Sequence, residues 1–146
     1  MSFLTGCGGS SLPLPLPDTN VYIVHMVTML GAFSGMSVKD VPEAIAFWRD
    51  VVGLEVEEGD IARLNLPGGG HVILYPKPNH VPAEFTVLNL VVADVGVAVQ
   101  ELGAKGLQPE RYPGMPQDED GAMRGRGPDI AWFKDPSGNI FSTIVD

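Results

Sequence analysis

The segment Val38–Glu55, VKDVPEAIAFWRDVVGLE, is matched in outline by Val92–Gln108, VADVGVAVQELGAKGLQ. Both open on V-x-D-V. Ala44 and Ile45 are in step with Ala98 and Val99, and Trp48 with Leu102. Both close on Gly-Leu after a helix-length run, the first copy being one residue longer. A repeat of this length means two copies of one supersecondary unit, neither able to bury its apolar face alone.

Each copy reads as a strand, a helix and a meander. Leu30–Val38 and Phe85–Ala93 carry the β-prone leading strands. Asp40 is placed to cap the first helix. Glu43 completes a capping-box pattern, and Pro42 lies in the first turn. Val41, Ile45, Trp48 and Val52 fall on one helical face. Gly53 sits where a left-handed C-cap belongs. Asp94 opens the second helix. Strands are expected at Leu54–Glu57, Ile61–Leu66 and His71–Tyr75, then at Leu107–Tyr112, Asp129–Lys134 and Ile140–Val145. The predicted class is α+β: two βαβββ modules, about 29–79 and 84–146, forming a curled mixed sheet around a cleft. Residues 26–146 read as one domain and residues 1–25 as a tail or arm, in which LPLPLPD is too proline-rich for a central strand.

The net charge of −9 argues against nucleic acid and against anionic membranes, since both need a basic surface. With 45% apolar and 18% charged residues the chain reads as globular. Cys7 is the only cysteine, so no intrachain disulfide forms. A cytoplasmic location is expected. LTGCGG imitates a lipidation box that would anchor the chain through Cys7, but it lacks a basic region and an apolar core before the cysteine.

SVKDVPEAIAFWRDVVGLEV and IAWFKDPSGNIFSTIVD resemble the vicinal oxygen chelate superfamily, which includes glyoxalase I, the extradiol dioxygenases, and fosfomycin- and bleomycin-resistance proteins. The resemblance spans roughly Leu30–Asp146 and implies paired βαβββ modules around a cleft, commonly in a homodimer. Catalytic members hold a divalent metal there with His, Gln or Glu ligands on the first, fourth, fifth and last strands. Carried onto this chain, those positions fall on Phe33, Leu74, Val87 and Ser142. None is an ordinary metal ligand. The DPSGN turn therefore aims Ser142 where a glutamate would complete a metal site. No metal and no other cofactor is expected.

Other metal sites are weaker. His71 and His80 have no ligand spacing in common, and Asp118-Glu119-Asp120 does not complete a calcium loop. Arg124 and Arg126 lie in a long Gly- and Pro-rich loop, YPGMPQDEDGAMRGRGPD. They can fold over the cleft as a lid that meets an anionic or carbonyl-bearing ligand, or pair with the loop's own acids. As a lid, Gln117–Arg126 would be dispensable for the fold. Trp132 and Phe133 face opposite sides of a strand, one toward the core and one toward cleft or dimer surface. Phe33, Leu74 and Val87 would make an apolar cleft floor. No nucleophile triad can be assembled, and LPGGGH lacks the helix that a phosphate loop needs.

The expected function is binding of a small organic molecule in the cleft without the usual metal, through Phe33, Leu74, Val87, Arg124, Arg126, Trp132 and Ser142. One alternative is a metalloenzyme with a displaced site, of lyase, isomerase or oxygenase type. The other is a dimeric interaction module without a ligand.

Overall fold

Two short mixed sheets, each with helix on one face, carry the α+β architecture in the computed structural model, which describes residues 25–146. Cys7 and most of the proposed tail lie outside the described residues. Gly31–Asp146 forms one compact unit.

The first sheet contains β1 (Ser34–Val38), β2 (Glu55–Glu57), β3 (Ala62–Asn65) and β4 (His71–Pro76) in the order β1-β4-β3-β2. β1 runs parallel to β4, as the intervening helix requires, and the other pairings are antiparallel. The second sheet has the order β5-β7-β6, from β5 (Thr86–Val91), β6 (Ile130–Lys134) and β7 (Ile140–Ile144). β5 is parallel to β7 and β6 antiparallel to it. Helices α1 (Val41–Ala46) and α2 (Val95–Ala104) follow the two leading strands.

The extra residue of the first repeat is absorbed in its helix. After Ala46 the chain widens into a π segment, Phe47–Val52, in which the Gly53 N–H reaches back five residues to the Trp48 carbonyl. A π turn accommodates one additional residue without breaking the helix. Gly53 then closes it at φ 90°, in the left-handed region. The caps differ. Asp94 accepts from the Val97 N–H at 3.1 Å, whereas the Asp40 side chain makes no cap bond. Pro42 removes one of the N–H groups a cap would bind.

One expected strand is not formed. Residues 107–112 run beside β6 but join it through one backbone bond, from Glu110 N–H to the Trp132 carbonyl. Pro109 and Pro113 lack the N–H groups that a ladder needs. Leu30–Phe33 is likewise not part of β1.

Alternation sorts the faces. Met36, Val38, Ala62, Leu64, Val72 and Leu74 are buried on the helix side of the first sheet. Phe133 and Phe141 do the same on the second sheet. The two halves share one core: Trp48 packs on Phe141 with ring centres 4.8 Å apart, and Phe47 meets Phe141 edge-on at 6.0 Å.

Candidate functional site

On the face of the second sheet away from the helices, Asn89, Ser142 and Trp132 stand in one row across β5, β7 and β6. The DPSGN turn sets this register. Asp135 accepts from the N–H groups of Ser137 and Asn139 at 2.9 and 2.8 Å, and Gly138 adopts φ 83°. The turn therefore places Ser142 on the face away from the helices. Ser142 is fully buried there, and its hydroxyl donates to Asn89 Oδ1 at 2.6 Å.

Two recesses meet at Phe85 and Thr86. The smaller, about 240 Å³, is lined by Tyr112, Met115, Trp132 and Ile140. The larger, about 350 Å³, is lined by Gly35 and Ser37 of β1, Tyr75, Val81, Val87 and Asn139. Phe85, 69% exposed, stands between them. Tyr112 and Trp132 pack edge-to-face at 5.7 Å. Burial, with Glu110 nearby, pushes the Tyr112 phenol above its ordinary pKa, and its Oη is enclosed without a hydrogen-bond partner. A further recess of about 440 Å³ lies on the opposite, helix-bearing side, between the π segment and α2.

The seven residues expected to form the site are dispersed. Val87 lines the larger recess and Trp132 the smaller. Val87 also occupies a bulge between Thr86 and Leu88, which breaks the strand's alternation. Leu74 is fully buried and lies level with Met36 and Ala62, so it faces the helices instead of the cleft. Its neighbours Ile73 and Tyr75 hold the other face. Phe33 precedes β1, is 61% exposed and stacks on His71 with ring centres 4.7 Å apart. Ser142 is closed off in its row.

Arg124 is occupied by the loop's own acids. It reaches Asp118 at 2.8 Å, Asp129 at 3.0 Å and Asp120 at 3.7 Å. Arg126 is exposed and lines neither recess. The loop is knitted to the body of the protein. Gln117 accepts from the Tyr112 N–H and donates to the carbonyls of Glu110 and Gly121, while Ala122 is fully buried. Arg124 thus follows the second of the two readings, pairing with the loop's own acids.

The metal-ligand positions do not fit a metal. Phe33, Leu74 and Val87 offer no donor atom, and the Ser142 hydroxyl is committed to Asn89. Among the described residues no group of three or more His, Cys, Asp or Glu is placed to hold a metal ion. Nor is any described helix long and apolar enough to cross a membrane.

Residues 23–143 match the family model of the glyoxalase/bleomycin resistance protein/dioxygenase superfamily, and the chain belongs to that superfamily. Among solved structures, a hypothetical protein of S. aureus is 18% identical, with a TM-score of 0.62 over 82% of this chain and 96% of that one. The fosfomycin resistance protein FosX of Listeria monocytogenes is 15% identical, with a TM-score of 0.61 over 83% and 95%. Lactoylglutathione lyase of Agrobacterium tumefaciens is 18% identical, with a TM-score of 0.58 over 80% and 94%. At these identities the likeness is one of fold. No curated protein matches the chain.

Sequence reasoning missed Phe85, Tyr112, Met115 and Ile140 as lining residues, along with Ser37. The aromatic residues on either side of each Pro-rich connector were the available signal.

Proposed function

We propose that the protein binds a small, largely apolar organic molecule in the divided cleft, without a metal. The observation that carries this reading is the meeting of two recesses at an exposed Phe85, with Tyr75, Tyr112 and Trp132 on their walls. Aromatic walls with a few polar groups suit a ring-bearing ligand. The four ligand positions carry no set of metal donors, which favours sequestration or chemistry by protein side chains over Lewis-acid catalysis. A homodimer is part of the proposal: Ile61, Val81, Phe85 and Val91 are large apolar side chains left exposed.

Thermal unfolding tests it. Metal-free protein is scanned with divalent cations, with a chelator, and then with small aromatic and heteroaromatic compounds. Folded-state binding raises the melting temperature by mass action. Stabilisation by an aromatic compound, lost in Trp132→Ala and Phe85→Ala, is the expected result. A rise with one metal, reversed by the chelator, would overturn it.

A further inference from the structure

Ser37 and His80 are 43 residues apart in sequence, yet Ser37 Oγ lies 2.7 Å from His80 Nδ1. The other ring nitrogen, Nε2, lies 2.8 Å from the Ser137 carbonyl. A carbonyl oxygen can only accept, so Nε2 carries the proton and donates. In the neutral ring Nδ1 is then the acceptor, and the Ser37 hydroxyl donates to it. The serine thus has a base within reach, and the base is oriented by a third group. That is the arrangement that activates a hydroxyl nucleophile.

Its placement is also suited to substrate. Ser37 lines the larger recess of the cleft. β1 is an edge strand, and on its free side the Ser37 carbonyl accepts from Asn139 Nδ2 at 2.9 Å. The Ser37 N–H leaves the strand on the same side, where it can donate to an oxyanion formed at Ser37's own acyl group.

We propose that Ser37 and His80 form an acyl-transfer dyad that hydrolyses small, uncharged esters with apolar acyl groups. The proposal uses the same cleft as the binding reading. Ser37 Oγ adds to the ester carbonyl carbon and its proton passes to His80 Nδ1. The tetrahedral adduct breaks its bond to the leaving oxygen, which takes that proton and departs as an alcohol. Water then adds to acyl-Ser37, giving a proton to Nδ1. Ser37 leaves as the regenerated hydroxyl and the carboxylic acid is released. No oxidant or metal enters the balance.

Labelling with a fluorophosphonate, read by intact mass and peptide mapping, and turnover of 4-nitrophenyl acetate test the dyad. One phosphonyl group on Ser37 is expected, absent from Ser37→Ala. His80→Gln should slow labelling about a hundredfold, the contribution of a positioned base. Because His80 also ties the connector to β1, Ser37→Cys gives an independent reading: the thiol it introduces should react with iodoacetamide faster than Cys7 of the same chain. No label on Ser37, equal labelling of His80→Gln, or an introduced thiol no faster than Cys7 would each overturn the dyad. Aromatic ligands that still raise the melting temperature would then leave the binding reading standing. Loss of both would end both.

Discussion

Trp48, on the π segment of the first module, lies 4.8 Å from Phe141 on the last strand, ring centre to ring centre. Both are fully buried, and Phe141 also stacks on Phe133 at 5.5 Å. One aromatic cluster therefore joins residues from the first helix and the final strand. Trp48→Ala is expected to cost about 3–5 kcal/mol, the usual range for emptying a large aromatic site. Urea unfolding followed by circular dichroism measures it. A loss below about 1 kcal/mol would mean that the modules are held together elsewhere.

Two enclosed hydroxyls lack partners: Tyr112 Oη, and Thr143 Oγ1 on the other side of the sheet. An unpaired buried polar group is unfavourable, and removing it without changing shape is neutral or stabilising. Tyr112→Phe and Thr143→Val are each expected to leave stability unchanged or raise it by up to about 1 kcal/mol. Paired denaturation curves read this. Destabilisation of Tyr112→Phe by more than that would point to a partner that its hydroxyl finds in solution.

The loop that sequence reasoning left open, as a lid or as a loop paired with its own acids, should behave as interior structure. Gln117→Ala strands three backbone groups, those of Glu110, Tyr112 and Gly121, and is expected to cost about 1–3 kcal/mol. Gly121→Ala should be worse than Gly125→Ala. Both have positive φ, but a Cβ on Gly121 would come within 2.6 Å of Pro109, whereas Gly125 faces open space. Melting temperatures of the three variants rank them, and equal losses for the two glycines would contradict the packing.

Stability should respond to pH in two opposed ways. Burial raises the pKa of Asp135 above the ordinary carboxylate range despite three hydrogen bonds to it. The folded state thus holds this proton more tightly, and stability falls as pH rises from the ordinary range through the raised value. Asp118 is the reverse. Arg124, by hydrogen bond, holds its carboxyl below the usual range, and that contribution is lost as pH falls through the lowered value. Its exposure makes the second effect the smaller. Denaturation midpoints across acid pH should show the upper slope flattened in Asp135→Asn and the lower one in Arg124→Gln.

Much of this fold was legible because it rests on local chemistry. The V-x-D-V repeat, the Gly53 cap and the DPSGN turn each act within a few residues, and Trp132 and Phe133 obey simple alternation. Even the π segment is foreshadowed by the extra residue of the first repeat. The strand expected at 107–112 failed because β-prone side chains cannot supply the N–H groups that Pro109 and Pro113 lack. Leu74 failed by a single position of register, which is enough to turn a cleft residue into a core residue. The pairing of Ser37 with His80 left no sequence signal: it depends on where a Pro-rich connector crosses an edge strand.

The tie between the two ends of the domain bears on how the chain can be made. Lys39 N–H donates to Ser137 Oγ and Asn139 Nδ2 to the Ser37 carbonyl, so β1 is completed by a turn about a hundred residues later. During synthesis the ribosome releases β1 and Trp48 well before Phe141 and the turn. Through that interval the nascent first module presents an open strand edge and an unfilled aromatic socket, the surfaces on which unfinished chains stick to one another. Its yield in a cell would then depend on how quickly the DPSGN turn and the strand that follows it arrive.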